Sequence, residues 1–216
     1  MMVINILAGG PDELLPQLTD FSGENTVWVG VDRGVYHLLS RNIVPVMGFG
    51  DFDSVSEVEL ALIESKIGQL NRFKPEKDET DTELALNWAI EQNPAEIRLF
   101  GATGGRIDHL LANVQLLIKP LSLGSSTRIS IVDKKNIVYL AGPGTHTIKK
   151  IPEKKYISFV PLTLDVTNLT LEGFKFPLEN RHISIGSTLC ISNELINQYG
   201  TFSFSEGILI VIRSHD

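Results

Sequence analysis

The sequence predicts an α/β N-terminal domain with a mostly parallel sheet and helices on both faces, plus an all-β C-terminal sandwich. Two observations carry this prediction. Up to about residue 121, short apolar runs alternate with helical patterns at the spacing of βαβ units. From about Ser126 the pattern changes to short runs broken by Gly, Pro or Asn. Several of these alternate apolar and polar residues, as in Thr201-Phe202-Ser203-Phe204-Ser205, which is the period of antiparallel strands.

Taken in order, strands are expected at 3–8, 26–31, 43–49, 68–73 and 96–100. Helices are expected between and after them at 14–18, 35–41, 56–65, 80–91 and 108–118. Thr80-x-x-Glu83 reads as a capping box that starts the fourth helix. Trp88 and Leu84 share one face of that helix and read as core. In the second half, strands are expected at 128–132, 137–140, 144–148, 156–161, 166–171 and 188–192, and within 201–213. The small and polar stretch LSLGSS marks the boundary, giving domains 1–122 and 126–216.

Composition excludes several classes. Hydrophobic residues make up 43% and charged residues 21% of 216, an ordinary globular balance. A net charge of -7 argues against nucleic acid as a partner, because that usually requires a basic stripe. No run approaches the roughly 18 to 20 apolar residues of a membrane span. The lone Cys190, in an apolar run, reads as a small buried hydrophobe and allows no intrachain disulfide. With no basic leader at the N-terminus, these features point to a cytoplasmic protein.

In an open parallel sheet, ligands bind outside the carboxyl ends of the strands. The expected strands are followed by Ala8-Gly9-Gly10, Asp32-Arg33-Gly34, Gly50-Asp51-Phe52-Asp53-Ser54, Lys77-Asp78-Glu79-Thr80-Asp81 and Gly101-Ala102-Thr103-Gly104-Gly105-Arg106-Ile107-Asp108-His109. Asp32 has an alternative reading as a helix N-cap, and Asp51 and Asp53 as turn residues. In an extended segment, however, residues two apart point the same way. Two carboxylates aimed together call for a cation between them. Gly104-Gly105 ahead of a helix lets backbone N–H groups approach an anion, and the Arg106 guanidinium grips phosphate. His109 and Asn113, four apart, fall on one helical face. The set lacks both the P-loop and the dinucleotide-binding spacing. Hard oxygen ligands suit Mg2+, and metal-assisted phosphoryl or pyrophosphoryl transfer is the chemistry such a set performs.

In this order and spacing, Asp32-Arg33-Gly34, Gly50-Asp51-Phe52-Asp53-Ser54, Lys77-Asp78-x-Thr80-Asp81-x-Glu83 and Gly101-x-x-Gly104-Gly105-Arg106-x-Asp108-His109 resemble the bacterial thiamine pyrophosphokinase family. The second half resembles it too, through Leu169–Leu178, Ser192-Asn193-Glu194 and Ser203-Phe204-Ser205-Glu206-Gly207. The resemblance implies transfer of pyrophosphate from ATP to thiamine, releasing AMP. It implies an N-terminal nucleotide-binding domain, a C-terminal thiamine-binding and dimerisation domain, and a homodimer. Asp51, Asp53 and Asp81, with Asp32 nearby, would hold Mg2+. Asp78, Asp81, Arg106 and Asp108 would serve the transfer, with either Asp78 or Asp81 receiving the hydroxyl proton. Gly9, Gly10, Arg33, Lys77, Thr80, Gly104, Gly105 and His109 would bind the nucleotide. Ser192 and Asn193 would approach thiamine. The alternative is a related pyrophosphokinase acting on another hydroxyalkyl heterocycle, such as hydroxymethylpterin.

Overall fold

A computed structural model describes residues 1–216 except 54, 68–69 and 73–77, with the backbone alone for 70–72. The chain divides into two compact units, Met1–Lys134 and Lys135–Asp216.

The first unit holds strands β1 (Val3–Leu7), β2 (Thr26–Val31), β3 (Met47–Gly50), β4 (Leu70–Arg72), β5 (Glu96–Phe100) and β6 (Arg128–Val132). They lie in the order β6-β5-β1-β2-β3-β4, and every neighbouring pair is parallel. Ile4, Ile6 and Leu7 of β1 and Ile97, Leu99 and Phe100 of β5 are shut off from solvent. Buried side chains on both faces of a strand belong to central strands covered on both sides. The helices are α1 (Arg33–Leu39), α2 (Glu57–Lys66), α3 (Asp81–Glu91), α4 (Ile107–Leu116) and α5 (Lys119–Ser122).

Several expectations are corrected here. The helix expected at 14–18 is replaced by two 3-10 turns, Asp12–Leu14 and Leu18–Phe21. Pro16 lies between them and has no N–H for a helical ladder. The third strand starts only at Met47, beyond Pro45. The ends of the strand expected at 68–73 lie outside the described residues. The segment 128–132, assigned to the second half by its composition, pairs in parallel with β5 and belongs to the first unit. The Thr80 hydroxyl caps α3 by accepting from Glu83 N at 3.2 Å. The Glu83 carboxylate meets Lys119 at 2.8 Å, so its charge joins α3 to α5. A full capping box closes instead at Ser56 and Glu59, at the start of α2.

The second unit is all β. Strands β7 (Asn136–Ala141), β8 (Gly144–Lys149), β9 (Tyr156–Pro161), β10 (Asp165–Glu172), β11 (Leu178–Ser184), β12 (Asn193–Glu194), β13 (Tyr199–Phe204) and β14 (Leu209–Ser214) pair antiparallel. One group runs β12-β9-β14-β7 and the other β11-β10-β13-β8. Inward residues of both groups share one core that includes Phe159, Val211, Leu169 and Phe202, which makes the unit a sandwich. The run 201–213 splits into β13 and β14 around Gly207, whose φ is 94°. The strand expected at 188–192 is replaced by a turn that leads into the two-residue β12. Strand β11 escaped the apolar pattern because it is a polar edge strand, with only Ile183 buried.

Cys190 belongs to this core at 4% exposure, and burial pushes its thiol up to about 11. At pH 8 only about one thiol in a thousand is then ionised. The native chain is therefore expected to resist a thiol-specific disulfide reagent at pH 8 and to react stoichiometrically once unfolded in guanidinium. Prompt labelling of the native chain would contradict this burial.

Candidate active site

The strand order creates a crevice. From β1 the chain moves toward β2, β3 and β4 on one side, while β5 and β6 lie on the other. The chain therefore leaves β1 and β5 in opposite directions along the sheet, which makes their carboxyl edge the topological switch point where open α/β sheets take their ligands. Ala8 N donates to Phe100 O at 2.8 Å and Gly10 N to Gly101 O at 2.9 Å, holding the two loops edge to edge. A Cβ on Gly10 would stand 2.8 Å from the Gly101 carbonyl carbon, so glycine is required there.

Above these loops opens a cleft of 570 Å³. Gly9 and Gly10 from the first loop and Gly104, Gly105 and Arg106 from the second line it. Asp32 and Thr82 reach it from β2 and α3, and His109 and Asn113 reach it from one face of α4. Sequence-expected residues from three strand ends thus meet in one space. Gly104 (φ 71°) and Gly105 (φ 118°) adopt left-handed conformations, and a Cβ on Gly105 would meet no atom of the described residues within 4 Å. This loop presents backbone to the cleft with no side chain in the way.

Asp32 is the electrostatic centre. It precedes α1 at the N-cap position, but its side chain makes no capping hydrogen bond, so the helix-cap alternative falls. Its Oδ1 is buried and has no hydrogen-bond partner among the described residues. Its carboxyl is pushed up to about 6, first by burial, then by the charge of Asp81, with Asp51 and Asp53 adding to it. The backbone N–H of Phe52 opposes the shift. The acids following β2, β3 and the start of α3 therefore act on one another. Gly50 makes room for this: a Cβ there would lie 2.8 Å from Asp32 Cγ and closer still to Oδ1.

Asp51 and Asp53 do not sit in an extended segment as expected. Phe52 between them is left-handed at φ 60°, and Asp53 N donates to Asp51 Oδ1 at 3.1 Å. A turn, and not strand alternation, gathers these two acids. Among the described residues no three acids, histidines or cysteines are close enough together to enclose an ion by themselves. Mg2+ typically takes one or two carboxylates and completes its shell with substrate phosphate and water. The orphaned, buried Asp32 oxygen among repelling acids suits such a cation.

Arg106 and Asp108 form a two-point pair, Nε to Oδ1 at 3.1 Å and Nη2 to Oδ2 at 2.5 Å. The guanidinium holds the Asp108 carboxyl down at about 2. Asp108 is thus an orienting anion for Arg106. Arg33 is turned toward Glu59 Oε1 at 3.4 Å and does not line the cleft. Asp78 and Thr80 are exposed ahead of α3 and do not line it either. Lys77 lies outside the described residues.

In the second unit, Ser192 is exposed and left-handed at φ 57°, with its N–H donating to Ser158 Oγ at 2.9 Å. Asn193 is 2% exposed, and its amide ties its segment to Phe176, between β10 and β11. Its Oδ1 accepts from Phe176 N at 3.0 Å and Glu194 N at 2.9 Å, and its Nδ2 donates to Phe176 O at 2.8 Å.

Sequence reasoning missed two residues at this edge. Thr103 Oγ1 donates to Asp133 Oδ2 at 2.8 Å, and Asp133 directly follows β6. The strand-end rule that found the other acids would have found Asp133 had 128–132 been assigned to the parallel sheet.

This architecture defines a class: α/β proteins that take their ligand at the switch point of a parallel sheet, among glycine loops and carboxylates. The family follows from comparison. Residues 18–131 match the thiamin pyrophosphokinase catalytic domain and residues 145–209 the thiamin pyrophosphokinase vitamin B1 binding domain. The chain is 52% identical to a thiamine pyrophosphokinase of Bacillus subtilis over 216 residues, the whole of both chains. A crystal structure of thiamine pyrophosphokinase from Bacillus subtilis superposes with a TM-score of 0.94 at 50% identity, covering 99% of each chain. Thiamin pyrophosphokinase from Candida albicans, at 18% identity, shares the fold with a TM-score of 0.81 over 99% of this chain and 89% of its own. The chain belongs to the thiamin pyrophosphokinase family.

Proposed function

We propose that the chain transfers the terminal pyrophosphoryl unit of ATP to the hydroxyl oxygen of thiamine, giving thiamine diphosphate and AMP. The observation that carries this is the switch-point cleft, lined by the glycine pairs after β1 and β5 and by Asp32, whose carboxyl feels the charges of Asp81, Asp51 and Asp53. The full-length likeness to a thiamine pyrophosphokinase supports the choice of acceptor.

In this reading the thiamine oxygen bonds to the β-phosphorus, the bond from that phosphorus to the bridging oxygen breaks, and AMP leaves with that oxygen. Gly9, Gly10, Gly104 and Gly105 let backbone approach the phosphates. Arg106, oriented by Asp108, meets their charge. His109, which lines the same cleft, completes the nucleotide contacts. The hydroxyl proton passes to a carboxylate at the start of α3, Asp78 or Asp81. Asp32, Asp51, Asp53 and Asp81 would hold Mg2+, which when bound neutralises phosphate charge.

In the second unit, exposed Ser192 contacts thiamine directly, and Asn193 acts by shaping the loop beside it. The chain works as a homodimer, which would cover large exposed hydrophobics of that unit such as Phe176, Ile191, Ile196 and Tyr199. Its setting is the cytoplasm, where ATP is available. Among the described residues no helix is long and apolar enough to cross a membrane.

The test mixes the purified chain with ATP, Mg2+ and thiamine, or with hydroxymethylpterin in its place. Equimolar AMP and thiamine diphosphate are expected over many turnovers. AMP formed with the pterin alcohol and not with thiamine would overturn the assignment.

A further inference from the structure

The loop after β5 is fastened residue by residue. Gly101 O accepts from Gly10 N, Ala102 O accepts from Asn113 Nδ2 at 3.0 Å, and Thr103 Oγ1 donates to Asp133 Oδ2 at 2.8 Å. The partners come from three places: the loop after β1, helix α4 and the end of β6. Two of these ties use backbone carbonyls. The third depends wholly on side chains, and its acceptor is a carboxylate only 4% exposed. Burying a carboxylate is costly unless it is well bonded, and the Thr103 hydroxyl is among the partners of Asp133; the place of this bond, just before a glycine pair, calls for a reason.

The next two residues supply one. Gly104 and Gly105 are both left-handed, and Gly105 faces open space. Glycine explores such conformations freely, so a glycine pair loses entropy when a ligand orders it. An anchor immediately before the pair removes part of that cost in advance. A hydroxyl bonded to a carboxylate is a charge-assisted bond, stronger than a neutral one.

We propose that Asp133, acting through the Thr103 hydroxyl, is a positioning residue that holds the 101–105 loop in the shape that receives the nucleotide's phosphates. This rests on the reading of the cleft as the ATP site.

Thr103→Val keeps the shape and removes the hydroxyl. It is expected to weaken binding of a non-hydrolysable ATP analogue with Mg2+ about tenfold and to raise KM for ATP to match, with KM for thiamine within about twofold. Thr103→Ser restores the hydroxyl and is expected within about twofold of the parent. Asp133→Ala should resemble Thr103→Val, and the double variant should be no worse than the weaker single one. Asp133→Asn, whose amide oxygen accepts the same bond, should retain most of the affinity. Unchanged analogue binding by Thr103→Val, a parallel rise in both KM values, or failure of the serine variant to recover overturns the proposal. Should the parent chain make no AMP from ATP and thiamine, the assigned reaction falls. A tenfold loss of analogue binding in Thr103→Val still upholds the loop assignment in that case. Absence of any analogue binding by the parent overturns both.

Discussion

Asp53→Asn is expected to lower kcat/KM for ATP by about a hundredfold to a thousandfold while the protein remains folded, the scale set by removing one group that stabilises transition-state charge. The reason lies in what Asp53 does not do for the fold. It is exposed, and among the described residues no hydrogen bond or ion pair holds its carboxylate. Its negative charge instead adds to the repulsion that pushes the Asp32 carboxyl upward. A charge that repels Asp32, the acid lining the cleft, fits the binding of a cation. Removing it should leave the melting temperature level or slightly raised. Steady-state kinetics, circular dichroism and a thermal melt on the same preparations decide the matter. An unchanged kcat/KM would remove Asp53 from the metal site.

Gly34→Ala is expected to act in the opposite way, on the fold before the chemistry. Gly34 lies in the first turn of α1, packed against the end of β1. A Cβ there would stand 2.7 Å from the Leu7 carbonyl carbon and closer still to its oxygen. The obstacle is backbone in a central strand and cannot rotate aside. Moving α1 outward would open the packing of Val35 and Leu38, both fully buried. Overpacking of this kind costs about 3 kcal/mol. For a chain of this size that corresponds to a fall of roughly 6 to 12 °C in melting temperature. A melt within a degree or two of the parent would show that α1 can shift freely, contrary to the close approach seen here.

The two substitutions separate what local pattern reveals from what packing decides. Glycines and aspartates just after apolar runs mark strand ends, because a chain leaving a parallel strand must turn at the carboxyl edge. That rule needs only neighbouring residues, so Gly9, Gly10, Asp32, Asp51, Asp53, Gly104, Gly105 and Arg106 were legible. The period of two was equally local, and it disclosed most of the second unit's strands. Where pattern misled, a local feature had more than one solution. The apolar stretch 128–132 fits either half until its partner strand is known, and the polar edge strand β11 carries no apolar period at all.

By itself, then, the sequence determined the α/β first unit, the β sandwich and the identity of most residues on the carboxyl edge. The tertiary structure decided which of them meet. The order β6-β5-β1-β2-β3-β4 places the loops after β1 and β5 side by side, although they are about ninety residues apart. Tertiary packing also buries Asp32 Oδ1 without a partner among the described residues, ties the Asn193 amide to Phe176, and brings Asp133 to the Thr103 hydroxyl. Periodicity and turn residues are properties of adjacent positions in the chain. Strand pairing and burial arise from closing long loops around one core, a free energy shared by the whole unit that no short stretch of sequence contains.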